Sequence, residues 1–266
     1  MRLSDLIYRA WYYFRLGLRR NSINADGLCS WYYSVLSYQA TLASYGYSPF
    51  GNYYEFGVGV GSLSSYITAL KAFCKATGRD LYRFHIFGFD SFEGLPNKQD
   101  PRDDHVDWYR RKFSVGLDEV TGKVAELGID LTRGTVRLVK GFFEDTLTSA
   151  LRNDLKKWPP SIVNIDVDYY SSTKAALSWL RPLLQSGAIF YFDDTWSFHG
   201  NPHLGELAAI NEFNELQEGG LVSFPELGMI GHAYIFWNKS FEFKGRSRRS
   251  RTLSRTDNNR LSAVNQ

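Results

Sequence analysis

Four aspartates in two short runs are the first residues with chemistry to offer. Asp166 and Asp168 lie in Ile165-Asp-Val-Asp-Tyr-Tyr170, and Asp193-Asp194 follow the apolar run Ala188–Phe192. Both sets stand at the C-terminal end of a segment that reads as a β-strand. In open α/β sheets the ligand crevice lies outside those ends. Adjacent parallel strands are about 4.8 Å apart, so four carboxylates gather in one small region. Like charges that close repel and raise one another's pKa. A hard divalent cation removes the conflict, and all-oxygen ligands suit Mg²⁺. Asp166, Asp168, Asp193 and Asp194 are therefore candidate metal ligands; the competing reading is that two of them cap the following helices. His199 and His203 are four residues apart, but Pro202 reads as the start of a helix between them, which argues against a shared zinc face. Asp168 and His199 are the candidates for a general base.

A second constellation lies upstream. Tyr53-Tyr-Glu55-Phe-Gly57-Val-Gly59-Val-Gly61-Ser62 ends one strand and opens a helix. Glycines let the backbone turn sharply and approach a ligand, and a helix N-terminus offers free N–H groups to an anion. The spacing is GxGxG, without the third glycine of a dinucleotide fingerprint. Glu55 inside a strand needs a cationic or N–H partner if buried, and the ammonium of a bound amino acid is one. Asp90 closes the next strand, in Phe87-Gly-Phe-Asp-Ser91. An acid there can accept both hydroxyls of a ribose; a helix cap or Asx-turn is the alternative. Glycine turn and strand-end acid together suggest a nucleoside cofactor with an unphosphorylated ribose. The chain has no GxSxG elbow and no Walker lysine.

The elements that must position these residues follow from hydrophobic periodicity. Strands are expected at Tyr53–Val58, Phe84–Phe89, Val136–Val139, Ile162–Val167 and Ala188–Phe192. The first, fourth and fifth are apolar on both faces, as central parallel strands are. Helices are expected at Ser62–Lys75, Leu117–Leu127, Asp145–Lys156 and Ser172–Leu184, with a further helix from Asn201-Pro202 to about Gln217. That alternation is a doubly wound sheet. Leu221–Phe224 and His232–Trp237 have no room for a crossover helix between them, so they must pair antiparallel. A Rossmann-like sheet ending in a hairpin favours the class I S-adenosylmethionine (SAM)-dependent methyltransferase type over an NAD-dependent oxidoreductase, whose sheet more often continues with βα units. A non-catalytic binding module on the same fold is the third reading; costly clustered acids speak against it.

The chain has 266 residues, 44% of them hydrophobic and 22% charged, which suits a folded α/β domain with elaborations. Residues 1–50 read as an aromatic-rich helical extension, 51–243 as the sheet domain and 244–266 as a basic disordered tail. Fourteen of the first 54 residues are aromatic, and Leu3, Leu6, Ile7, Ala10, Trp11, Phe14 and Leu18 recur at helical spacing. One or two helices packed on the main domain is the expectation. A subunit interface giving a homo-oligomer, a lid and a membrane-surface helix are the alternatives. The tail holds seven of the 31 Lys/Arg and one of the 28 acids, so residues 1–243 carry 24 basic against 27 acidic side chains. A basic body, the footprint of nucleic-acid binding, is absent. No apolar run approaches a membrane span. Charge at Met1-Arg-Leu-Ser-Asp, and two cysteines (Cys29, Cys74) without a CxxC, make the cytoplasm the expected location.

Read in order, Glu55-Phe-Gly-Val, Gly88-Phe-Asp-Ser-Phe-Glu-Gly-Leu-Pro96, Gly141-Phe-Phe-Glu-Asp-Thr-Leu147, Asp166-Val-Asp-Tyr-Tyr-Ser-Ser-Thr173 and Asp193-Asp194 resemble the macrocin-type (TylF-like) O-methyltransferases. The resemblance runs from about residue 50 to 215. It implies dependence on SAM and Mg²⁺ and a hydroxyl acceptor on a sugar, glycan or natural product. By the same resemblance Glu55, Gly57 and Ser62 serve the methionine end of SAM, and Gly59 of the same turn is a further cofactor-binding candidate. Asp90 and Ser91 hold its ribose, and Gly141 lies by the adenine. Asp166 or Asp168, with Asp193 and Asp194, holds the metal, and the other of the first two contacts SAM or the substrate, Asp166 being also a cofactor-binding candidate. The family pattern of Tyr-Gly and then Gly-Cys-Arg after the paired aspartates is replaced here by Thr195-Trp-Ser-Phe-His-Gly-Asn-Pro-His-Leu-Gly-Glu206.

Overall fold

The computed structural model of the chain describes residues 23–44, 50–216, 218–224 and 231–239. The helical stripe Leu3–Leu18 and the basic tail 244–266 lie outside the described residues. Seven described strands form one sheet: β1 (Tyr53–Phe56), β2 (Ile86–Asp90), β3 (Val136–Lys140), β4 (Ile162–Ile165), β5 (Ile189–Phe192), β6 (Gly219–Phe224) and β7 (His232–Asn238), in the order β3-β2-β1-β4-β5-β7-β6. The first five are parallel. β7 runs antiparallel to β5 and β6 antiparallel to β7. The mostly parallel sheet with a closing hairpin is thus the methyltransferase-type arrangement expected from the sequence.

Every residue of β1, β4 and β5 is buried. Successive side chains of a strand point to opposite faces, and the two faces have separate cores. Tyr54, Phe56, Val163, Ile165, Phe190 and Phe192 pack under α6 (Tyr170–Leu180) and α7 (Gly205–Glu215). Tyr53, Ile162 and Ile189 pack on the other side with α1 (Ile23–Ser44), α2 (Val60–Thr77) and α3 (Leu117–Glu126). α1 is set into this second core through Trp31, Tyr32, Val35 and Leu36. Gln39 Nε2 donates to the carbonyls of Ser161 (2.6 Å) and Gly187 (3.2 Å), the residues leading into β4 and β5. No described helix is long and apolar enough to cross a membrane.

Local chemistry moves several boundaries from where periodicity alone puts them. β1 stops at Phe56 rather than Val58 because Gly57 turns the chain at φ +76°. β2 covers Ile86–Asp90 rather than Phe84–Phe89, since Leu81–Arg83 forms a 3₁₀ turn that Phe84 caps. The single helix expected over Asp145–Lys156 is two, α4 (Phe143–Thr146) and α5 (Ser149–Leu155). Thr148 starts the second, its hydroxyl accepting from Leu151 N (3.1 Å), as an N-cap does. α6 ends at Leu180 because Pro182 has no N–H to continue it and sits in the 3₁₀ turn Arg181–Leu183. Pro202 does not open a helix. Asn201 Oδ1 accepts from His203 N (3.0 Å) in an Asx-turn, and α7 begins at Gly205.

At Gly57 a Cβ would stand 1.7 Å from the carbonyl oxygen of Asp166. β1 and β4 meet there through Asp166 N donating to Phe56 O (2.9 Å). Gly57→Ala combines a backbone collision with a φ that L-residues avoid, and is expected to cost about 3 kcal/mol or more. Urea unfolding reads this; a loss below about 1 kcal/mol would mean the two strands separate there without strain.

Candidate active site

The sheet ladder itself delivers the acids. Ile165 pairs with Phe192, and Asp193 N donates to Ile165 O (3.0 Å), so Asp166 and the Asp193-Asp194 pair leave the sheet side by side. Asp166, Asp193 and Asp194 each offer a carboxylate oxygen, all within 4.8 Å of one another. Asp168 stands next to Asp194 with a buried side chain, held by a backbone at φ +59°. Non-glycine residues in that left-handed region are uncommon, and Asp is among the better tolerated there.

Burial and mutual repulsion dominate the electrostatics. Burial first, then Asp193 and Asp194, push the Asp166 carboxyl well above the usual carboxylate range. Asp168 is pushed up to about 8 by burial and then by Asp194, with Lys112 pulling the other way. Asp193 opens to the cavity, yet the protein around it and then Asp194 push it up to about 6. Asp194 is raised by burial, while Ser197 Oγ donates to its Oδ1 (2.6 Å) and counters the shift. A compact all-oxygen set under such repulsion fits a hard divalent cation.

The glycine turn and Asp90 form the neighbouring part of the site. Asp90 Oδ2 accepts from Val58 N (2.7 Å) and Oδ1 accepts from Phe92 N. Its pKa is raised by burial, which these two N–H groups oppose. An ionised carboxylate has about four lone-pair sites, so both oxygens keep capacity for a ligand's hydroxyls. Ser91 Oγ donates to Gly94 O (2.9 Å), and Gly141 N donates to Asp90 O (2.9 Å), closing the ends of β2 and β3. Glu55 does not face the cavity. It is wholly buried beneath the turn, and its carboxylate accepts from Ser62 Oγ and from Tyr53 Oη (2.9 Å). Tyr53 Oη lies 3.1 Å from the Tyr32 hydroxyl of α1. Burial pushes Glu55 up to about 8, against the pull of Ser62, Tyr53 and the Gly59 backbone. The hydroxyls supply what an ammonium would have supplied.

One cavity of about 880 Å³ joins these parts, within the range of small-molecule and cofactor sites. Gly57, Gly59, Asp90, Ser91 and Gly141 line it, and so do Asp166, Asp168, Asp193 and Asp194. Ser62 and Glu55 lie behind the wall. His199 does not join the site: it is exposed, at φ +55° on the turn after Asp194, away from the cavity lining.

Beyond the run that ends at Pro96, three contributors went unnoticed in the sequence: the cavity-lining stretch 108–115, Asp103 and Glu206. The segment 91–116 covers the cavity with Leu95, Pro96, Trp108, Lys112 and Phe113. Asp103 anchors it: fully buried, it accepts from Ser171 N and Oγ (both 2.8 Å) at the start of α6, and from Gln99 N and Asp100 N (both 3.1 Å). Glu206, in the first turn of α7, is buried behind the aspartates with Oε2 accepting from Asp194 N (3.0 Å). The spacing Asp100-Pro-Arg-Asp103 is a capping-box pattern that could have flagged the anchor. Glu206 reads in sequence as an ordinary helix-start acid, and nothing there signals its burial.

Comparison with known proteins bears on this arrangement. The family model described as macrocin-O-methyltransferase (TylF) matches residues 49–239. An 8-demethyl-8-(2,3-dimethoxy-alpha-L-rhamnosyl)-tetracenomycin-C 4'-O-methyltransferase of Streptomyces olivaceus is 30% identical over 149 residues, which are 54% of this chain and 52% of the relative. The match thus spans about half the length of that curated relative. Among solved structures, the calicheamicin methyltransferase CalS11 superposes with a TM-score of 0.61 at 22% identity, over 85% of this chain and 83% of that one. At that identity the likeness speaks for the fold alone.

The buried Glu55 gives a pH signature. Its ordinary value is near 4.5 and its folded value is about 8, so between those limits the folded state binds the proton more strongly than the unfolded one. The stability from this group is full below about pH 4.5 and is lost as pH rises through about 8. Glu55→Gln removes that titration. The urea midpoint of the wild type should therefore fall relative to Glu55→Gln between pH 5 and 9; a constant gap would show that Glu55 titrates normally in the fold.

Proposed function

Since the chain belongs to the macrocin-O-methyltransferase (TylF) family, we propose that it transfers the methyl group of SAM to a hydroxyl of a sugar, glycan or natural product, with Mg²⁺ at the acid cluster. The observation that carries this reading is a juxtaposition. Asp166, Asp193 and Asp194 converge within 4.8 Å on the wall of the cavity that also holds the Gly57–Gly59 turn and Asp90. The relative from Streptomyces olivaceus, named for a 4'-O-methyl transfer on a rhamnosyl tetracenomycin, supports a sugar hydroxyl as acceptor.

Each residue has a part in that chemistry. The backbone of the Gly57–Gly59 turn lies against SAM, and Asp90 accepts from the ribose hydroxyls through the lone pairs its backbone partners leave open. Gly141, at the end of β3, borders the adenine. Bound SAM supplies an electrophilic methyl group on a sulfonium. Asp166, Asp193 and Asp194 hold the cation, which when bound supplies a Lewis acid that lowers the pKa of the acceptor hydroxyl and orients it. Asp168, on the cavity wall beside Asp194, takes the hydroxyl proton, since it is the remaining basic group of the cluster that faces the cavity. His199, exposed outside the lining, has no part in this reading. Trp108, Leu95, Tyr169 and Phe198 pack as an apolar group over this end and exclude water. Holding the reactants in register contributes roughly 7–11 kcal/mol in favourable cases.

Ligand-induced thermal shifts test the reading. S-adenosylhomocysteine at about 100-fold over its Kd should raise Tm by roughly 5 °C or more, and NAD should leave it unchanged. Asp90→Ala should abolish the shift. Asp193→Ala should keep it while losing methyl transfer from SAM and its dependence on Mg²⁺. A shift with NAD and none with S-adenosylhomocysteine would replace the methyltransferase reading by an oxidoreductase one.

A further inference from the structure

Glu206 carries an anomaly that the reaction as described does not use. Its side chain is 1% exposed. Oε2 accepts from the backbone N–H of Asp194 at 3.0 Å. Oε1 is buried and has no hydrogen-bond partner among the described residues. A buried carboxyl oxygen left without a donor is costly, and structures retain such an orphan where something else supplies the partner. The charged groups that bear on Glu206 are themselves acids, Asp194, Asp193 and Asp166, so none of them in ionised form can donate to it. What is missing at Oε1 is positive charge or a donor, and the acid cluster in front of it is where a cation with its waters would sit.

We propose that Glu206 is the positioning residue of the cation site: one oxygen fixes the Asp193-Asp194 turn through the Asp194 N–H, and the other gains its partner only when the cation is bound. This rests on the reading of Asp166, Asp193 and Asp194 as the cation's ligands. Glu206 touches neither SAM nor the acceptor; it acts through the main chain of a ligand. Groups that orient metal ligands from behind typically alter metal affinity 10- to 100-fold when removed. The role asks for an acceptor at both oxygens, Oε2 for the Asp194 N–H and Oε1 for the partner that arrives with the cation. A carboxamide keeps the acceptor for the Asp194 N–H but sets an NH₂ donor where Oε1 stands, and an apolar side chain of similar length supplies neither.

Mn²⁺ binding to the full chain, followed by electron paramagnetic resonance in the absence of SAM, separates the possibilities. The wild type should bind Mn²⁺. Glu206→Gln should bind about three- to tenfold more weakly, and Glu206→Met more than tenfold more weakly, with S-adenosylhomocysteine affinity in metal-free buffer unchanged in both. Wild-type Mn²⁺ affinity in either variant overturns the role, as does a Glu206→Gln variant as weak as Glu206→Met, which would leave the Asp194 N–H contact without effect. Absence of Mn²⁺ binding to the wild type overturns the cation reading and this inference with it. Hydrogen exchange of the wild type decides the matter if Glu206→Met does not fold. Mg²⁺ should slow exchange both in the Asp193-Asp194 turn and in the first turn of α7; slowing confined to Asp193-Asp194 would rule the coupling out.

Discussion

Carboxyl groups forced together at the ends of β4 and β5 set the terms for the rest of this molecule. Asp166, Asp193 and Asp194 cannot spread apart, because each is tied to a strand buried on both faces. Their repulsion must therefore be met where they stand. Ser197 donates to Asp194, and the Asp194 N–H is taken by Glu206. Tyr191, two positions back along β5, pulls the Asp193 carboxyl down against burial. These donors are too few to compensate so many acids in a region of low dielectric. A bound cation would turn this unfavourable cluster into a favourable one.

The other end of the cavity handles a buried acid differently. Glu55 sits under the glycine turn, bonded by Ser62 and Tyr53, and Tyr53 in turn reaches Tyr32 of α1. That chain of hydroxyls ties α1 to the floor of the turn. Trp31 of the same helix lies 5.5 Å, centroid to centroid, from the ring of Tyr191, which bears on the Asp193 carboxyl. α1 thus supports both halves of the site, although it contributes nothing to the cavity lining. The segment 91–116 is built the other way round: it lines the cavity but depends on Asp103 at the start of α6, and on Arg102 bridging Asp100 and Glu212, to stay in place.

Much of this was legible in the residues. The doubly apolar runs at Tyr53, Ile162 and Ala188 announced central strands, and the short gap between Leu221–Phe224 and His232–Trp237 announced the closing hairpin. The strand-end acids at Asp90, Asp166 and Asp193-Asp194 announced a crevice. Periodicity misplaced the helix at 145–156 because a Thr148 cap leaves the apolar spacing intact while breaking the backbone. It misplaced the start of α7 because Asn201-Pro202 suits an Asx-turn as well as a helix start.

The sequence by itself determined the order of strands and helices, and with it which acids lie at the carboxyl ends of the sheet, because burial on both faces leaves a strand little choice of register. Only the tertiary structure decided what each acid meets. It brought one oxygen each of Asp166, Asp193 and Asp194 within 4.8 Å, set Asp168 beside Asp194, turned Glu55 away from the cavity, drew Glu206 in behind the aspartates and left His199 outside. The physical reason is that a side chain's partners come from elements far apart in the chain. Spacing along the sequence carries the period of a strand or helix, but not the distance between α7 and β5.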